Sequence, residues 1–371
     1  MNITLPVAKS VQGDLVLYST SIEVKNLVSP GFYSVEKLDP NDEERAGYQR
    51  VLNRARAKKL AGYILKGQES RDAFLPTSVL LATDKNIDYD SDGTITICPG
   101  EVCPFSVVDG QHRLEGLRMA AETDNRVLEF QVPINIAINL DAISQMCHFL
   151  IVNTTQKSVD KAVEQHIYAH LTRLIGLENI PSLPKWIQTI VDRGAIDKAV
   201  KITDYLNSTD GSPWYGKIQM ANEAANGKTI KQGSFVTLLN KLYLVASNPV
   251  IVEELDKQKK VFLNYWKAIS EILDDGSDSV LFKYNGVVLF GAFSIPFFNK
   301  LKNMRSFTVD TMKDELENCF NSMEGEHAGV GSPEWWHKGS VAGGMNSGAI
   351  SKVVHEMTKA LYNNAGKEIE L

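Results

Sequence analysis

Residues 105–118 read Phe105-Ser106-Val107-Val108-Asp109-Gly110-Gln111-His112-Arg113-Leu114-Glu115-Gly116-Leu117-Arg118. The first four form a short, mostly apolar run, long enough for a buried strand. Asp109-Gly110 is a strong turn pair. Beyond it, Leu114, Leu117 and Arg118 fall into helical spacing, and the pattern continues through Met119, Ala120 and Ala121. The expected fold is strand, tight turn, helix, with the helix over 111–122. An acid, a glycine, an amide, an imidazole and a guanidinium occupy successive positions of the turn.

These residue types together suit a phosphate-bearing ligand. The first turn of a helix leaves backbone N–H groups unpaired, and its dipole favours an anion. Gly110 lets a ligand approach without a Cβ in the way, and Gln111 opens the helix. Arg113 can fork onto phosphate oxygens, and His112 can donate to one or move a proton. Asp109 can hold Mg²⁺, orient His112 or cap the helix. On this reading Asp109, His112 and Arg113 are the catalytic candidates, Asp109 is the metal ligand, and a nucleoside triphosphate such as ATP sits at the helix start. The plainer alternative is a capped helix with a solvated arginine and a packed histidine.

Upstream, Tyr48–Leu65 has helical period, with Val51, Ala55, Leu60, Ile64 and Leu65 on one side and Arg50, Arg54, Arg56, Lys58 and Lys59 elsewhere. This is the densest basic stretch of the chain. It reads either as a solvated face or as phosphate contacts. Arg54 and Arg56 are candidates for the nucleotide, and Arg50, Lys58 and Lys59 for a nucleic-acid backbone. Helices 48–65 and 111–122 are expected to meet at one cleft. Asp39–Glu44 is an acidic turn suited to a helix start.

Short strands are expected at Leu15–Tyr18, Ser21–Val24, Leu75–Ala82, Gly93–Cys98 and within Phe130–Asn139. A helix over Ala142–Val152 meets Asn153-Thr154-Thr155-Gln156-Lys157. Asn153 and Gln156 offer amides suited to a ribose or a base edge, or they serve as ordinary turn residues. From Lys161 the pattern becomes mainly helical, with helices over Lys161–Leu174, Lys185–Ile190, Phe235–Val245, Val252–Leu273 and Val309–Phe320. The domain boundary is therefore set near 160, giving domains of 1–160 and 161–371. His166 and His170 lie four apart without an acid to complete a metal motif, so packing is the preferred reading. The same holds for Trp335 and Trp336, although tryptophans beside His337 and Lys338 could also stack a base.

The net charge of −6 argues against a wholly basic nucleic-acid-coating protein but allows a local basic patch. No apolar run reaches the length of a membrane span, and the start lacks a signal pattern. Cys98, Cys103, Cys147 and Cys319 do not form a zinc pattern and fit a reducing cytoplasm.

Asp109-Gly110-Gln111-His112-Arg113 resembles the signature of the DGQHR-domain family of the ParB/sulfiredoxin-like superfamily, which includes DndB and DpdB proteins of bacterial DNA-modification clusters. The likeness spans roughly 45–240 and is strongest over 105–160. An Arg-rich helix ending in Tyr63-Ile64 and the Asn153–Ser158 stretch agree with it, as does Ser212–Ile218. It implies an α/β fold: a ParB/sulfiredoxin-like mixed α/β nucleotide-binding domain followed by a mainly helical region. The DpdB-like branch fits better and implies an ATPase that works with a transglycosylase-like partner inserting 7-deazaguanine into DNA. A DndB-like DNA-binding transcriptional regulator without turnover is the alternative, and a ParB-like nuclease a further one. Sulfiredoxin's catalytic cysteine is replaced here by Gln111, which removes thiol chemistry. DNA is the implied partner, a homo-oligomer is left open, and the cytoplasm is the implied location.

Overall fold

The computed structural model describes residues 2–38, 47–156, 161–175, 194–276 and 278–363. The chain forms two compact units, Met1–Thr189 and Ile190–Leu371. The first is mixed α/β and the second is mainly helical.

In the first unit, strands β1 (Ile3–Pro6), β2 (Ala8–Gln12) and β3 (Leu15–Glu23) are followed by the short helix α1 (Val24–Leu27) and strand β4 (Tyr33–Ser34). Helix α2 (Arg54–Ser70), strands β5 (Val79–Ala82) and β6 (Thr94–Ile97), and the single turn α3 (Pro99–Val102) come next. Strand β7 (Phe105–Asp109), helix α4 (Gln111–Thr123), strand β8 (Gln131–Ala137) and helices α5 (Ala142–Gln156) and α6 (Lys161–Ile175) complete it. Six strands form one mixed sheet in the order β2-β3-β8-β5-β7-β4, while β1 pairs separately with β6. β8 and β5 run parallel, and β5 and β7 run antiparallel with a register shift at Leu80/Leu81. That pairing sets Leu80 opposite Asp109 and so places the 109–113 turn at the end of the sheet.

Alternation explains the sheet core: Val132, Ile134 and Ile136 of β8 are all buried. Leu114, Leu117, Ala120 and Ala121 form the buried face of α4, and Ala57, Ala61 and Ile64 that of α2. The two helices meet closely at Gly116, where a Cβ would stand 2.9 Å from Leu60 Cδ2 and 3.0 Å from the Ala57 carbonyl oxygen. No larger residue fits there without parting the helices.

The strand–turn–helix over 105–123 forms as its sequence implies, and the two expected strands within 15–24 are one continuous strand. Some boundaries differ, and β5 begins only at Val79 rather than at Leu75. Tyr48 and Gln49 do not begin a helix; their N–H groups donate to the Glu36 carbonyl, and Leu38 N–H donates to the Gln49 carbonyl. Helix α2 starts only after Asn53, whose side chain accepts Arg56 N–H at 3.0 Å. At the other end, 153–156 continue α5 rather than forming a loop. Helix α6, expected to open the second domain, belongs to the first compact unit. The expectations for Asp39–Glu44 and Lys185–Ile190 lie outside the described residues.

The second unit is built on helices Ala195–Ser208, Leu255–Leu273, Tyr284–Met304, Val309–Asn321 and Ser347–Asn363. Tyr284–Met304 is apolar on most sides and contains Pro296, so it shows little period; it is a buried helix. The segment expected as one helix over Phe235–Val245 is an α-helix, Gln232–Leu238, followed by a π-helical turn, Leu239–Tyr243. Trp214 and Trp266 lie edge-on in its aromatic core, and Trp336 is fully buried with its indole N–H on the Val330 carbonyl. All four cysteines are free. Among the described residues, no helix is long and apolar enough to cross a membrane.

Candidate functional site

Strand β7 ends at Asp109 and α4 begins at Gln111, so the reversal falls on Gly110. Its φ of +111° is a conformation that L side chains rarely adopt, and a Cβ would lie 3.1 Å from both Val79 methyls. The Gly110 carbonyl accepts the N–H groups of Arg113 and Leu114 at 2.8 and 3.0 Å. The N–H groups of Gln111 and His112 carry no hydrogen bond among the described residues, as expected for the first turn of a helix.

Arg113 is turned back onto the protein. Nη2 donates to Asp109 Oδ2 at 2.5 Å and Nη1 to the Thr77 carbonyl at 2.8 Å, with the side chain only 16% exposed. Asp109 is therefore held by Arg113, and its expected bond to His112 is not formed. His112 has another partner: Nε2 accepts the backbone N–H of Asn53 at 3.0 Å. An accepting Nε2 places the neutral ring's proton on Nδ1. Burial holds the His112 pKa below the ordinary imidazole value; the charges of Arg56 and Arg50 push the same way, and Asp109 opposes them.

Gln111 is buried, and its amide donates to Gln49 Oε1 and to the Arg50 carbonyl, both at 3.2 Å. Gln49 in turn donates to the carbonyls of Val107 and Val108 at 2.7 and 3.0 Å. A buried amide network thus fixes the segment carrying Arg50 against the end of β7. Gln49 was not readable as part of the site, since a lone glutamine carries no pattern.

These residues line an open cleft of about 1040 Å³. Arg50, Arg56 and Lys59 reach it, as do Asp109–Arg113, Tyr63 and Asn153. The basic helix and the 109–113 turn do share a cleft. Arg56, Lys59 and Tyr63 recur at i, i+3 and i+7 and so occupy one face of α2. Arg54 and Lys58 do not line the cleft; Arg54 instead lies close enough to Glu115 to help depress its carboxyl pKa, behind the larger effect of the Arg118 hydrogen bond. Asn153 lines the cleft while donating to the Phe149 carbonyl at 2.8 Å. The Gln156 side chain lies outside the described residues.

Among the described residues, four cationic side chains of the lining face one carboxylate, Asp109, which Arg113 already neutralises. Arg50, Arg56 and Lys59 make no ion pair among the described residues. No group of three or more His, Cys, Asp or Glu side chains that could hold a metal occurs among the described residues. The donor set fits an anion, and Asp109, the carboxylate that could serve Mg²⁺ beside bound phosphates, is paired with Arg113.

Residues 5–174 match the DndB family model. Its description is DNA-sulfur modification-associated, which makes the resemblance one to a DNA-modification family. The match to DndB covers just under half of the 371 residues and contains the cleft lining described above. The DndB-like alternative fits this match, and the DpdB-like branch rests on the sequence resemblance. Neither a curated protein nor a solved structure matches the chain.

Proposed function

We propose that this chain is a DNA-binding component of a DNA-sulfur modification system, a regulator that holds the polynucleotide backbone in the cleft and has no turnover of its own. The observation that carries this reading is the charge of Arg50, Arg56 and Lys59, without an ion pair among the described residues, on an open cleft whose carboxylate, Asp109, is already paired. Phosphate oxygens are the natural complement of such a surface. The likeness to DndB supports DNA as the polyanion. The commitments of His112 to Asn53 and of Arg113 to Asp109 and Thr77 favour an architectural use of the turn over a catalytic one.

The second reading is the nucleotide-binding ATPase, with ATP phosphates at Gln111 and His112 N–H and Asp109 turned toward Mg²⁺. The first turn of α4, open at the cleft, favours it. It requires Arg113 to release Asp109. A transglycosylase-like partner and 7-deazaguanine insertion rest on the sequence resemblance alone. A nuclease would need more acids than Asp109.

The two readings part in one experiment. DNA binding is followed by fluorescence anisotropy across a salt series, and phosphate release from ATP is measured on the same preparation with and without DNA. Salt-sensitive binding with no phosphate release is expected. Phosphate release that is lost in Arg113→Ala would replace the regulator by the ATPase.

A further inference from the structure

Phe74 is 71% exposed, yet the backbone that carries it is fixed on every side. Helix α2 ends at Ser70, and its cap residue Arg71 takes the left-handed conformation at φ +60° and turns the chain back along the helix. The N–H groups of Arg71 and Asp72 both donate to the Gly67 carbonyl, and Ser70 Oγ bonds the Asp72 carboxylate. Gly67 has no room for a Cβ, which would collide with Ala73. Finally, the Tyr63 hydroxyl donates to the Phe74 carbonyl at 3.1 Å and accepts the Phe74 N–H at 2.9 Å. One side chain of α2 thus clamps both backbone groups of Phe74.

A single exposed apolar residue needs no explanation. This one differs in three respects. Its loop is locked, so the ring is presented at no further cost in backbone entropy. Its clamp, Tyr63, is itself an exposed aromatic at 44% and lines the cleft, as does the next residue, Leu75. And the cleft beside it carries Arg50, Arg56 and Lys59. Rigid aromatic faces beside a basic groove are the means by which proteins hold nucleic-acid strands whose bases are unpaired: the cations take the phosphates and the rings take the bases. An intact duplex keeps its base faces stacked inside and offers none to a side chain at its flank.

We infer that the cleft takes an unpaired nucleotide of a DNA strand, with its base stacked on Phe74 and the neighbouring phosphates held by Arg56 and Lys59. This rests on the DNA-binding reading above and goes further by naming the form of DNA.

The test compares two labelled probes of equal length, a single-stranded oligothymidylate and a blunt duplex, by anisotropy on the full chain. Phe74→Ala, Phe74→Leu, Phe74→Trp and Lys59→Glu are each checked for an unchanged melting temperature. The single strand is expected to bind the wild-type chain more tightly than the duplex. Phe74→Ala and Phe74→Leu should each weaken single-strand binding by about 5- to 150-fold, the equivalent of one base–aromatic stack. Phe74→Trp should retain it, duplex binding should not change in these three variants, and Lys59→Glu should weaken both probes. Undiminished single-strand binding in Phe74→Ala or Phe74→Leu overturns the stacking inference, as does equal loss on both probes. If Lys59→Glu still weakens both, the basic cleft stands without the stack; if Lys59→Glu changes neither, the DNA-binding reading itself falls.

Discussion

His112 Nε2 accepts the backbone N–H of Asn53 at 3.0 Å, across 59 positions of sequence. Asn53 is the cap of α2 and His112 sits in the first turn of α4, so the bond joins the starts of the two cleft helices. The imidazole that looked catalytic in sequence supplies its lone pair to a backbone donor that a helix start would otherwise leave to water.

A glutamine should replace this histidine and an alanine should not. Gln Oε1 can reach the position of Nε2 and accept the same N–H. His112→Ala should therefore lower stability by about 0.5–1.5 kcal/mol, the worth of one partly exposed hydrogen bond. His112→Gln should recover most of it. Urea denaturation midpoints check both. A catalytic histidine would give the opposite pattern, with activity lost in both variants and stability unchanged.

The depressed pKa of His112 has a definite sign. The unfolded chain takes up this proton near pH ~6.5, whereas the folded chain takes it up only at lower pH. Between the two values the unfolded state binds more protons, so stability rises with pH. The contribution is complete above the unfolded value and is lost as pH falls through the folded one. Melting temperature should fall on acidification through this window in the wild type and fall less in His112→Gln. Identical slopes in the two proteins would remove His112 as the cause.

Asp109→Asn separates an ion-pair role from metal binding. The change leaves Arg113 with a weaker acceptor and adds to the positive excess of the cleft. Stability should drop by about 1 kcal/mol, given that Asp109 is partly exposed, while DNA should bind more tightly at low salt. Titration against the same labelled probes measures the second effect. Weakened binding would point to a direct ligand role for the carboxylate.

Lys58 and Lys59 are neighbours in sequence, but of the two Lys59 alone lines the cleft. Lys59→Glu should weaken DNA binding and flatten its salt dependence, by a slope of about 0.9 for each duplex phosphate that is no longer neutralised. Lys58→Glu should leave both nearly unchanged. Equal effects would mean that long-range charge, rather than direct pairing in the cleft, governs affinity.

Gly110→Ala should destabilise by about 1–3 kcal/mol, the cost of holding an L residue at a strained positive φ. Crowding by the Val79 methyls adds to it. A thermal melt unchanged from wild type would show that the turn can adopt another conformation.

What could be read without coordinates was local. The alternation of β8, the apolar face of α4 and the Asp109-Gly110 reversal each lie within a short window, and each formed where expected. Tyr48 and Gln49 show where such reading stops. Their helical period is real, but pairing with the Glu36–Leu38 backbone outweighs it, because propensity is a weak term beside buried hydrogen bonds. In the opposite sense, Asn153–Gln156 look like a loop and continue a helix.

The sequence by itself determined that a strand, a glycine turn and a helix would gather Asp109, His112 and Arg113 in one turn next to a basic helix, because spacing fixes which residues lie close along the chain. Only the tertiary structure decided what those residues touch. The close approach of α2 and α4 at Gly116 brings Asn53 to His112, and the pairing of β5 with β7 brings Thr77 to Arg113. These partners come from distant parts of the chain, and their meeting depends on the summed packing of a whole core, which no single window of sequence contains.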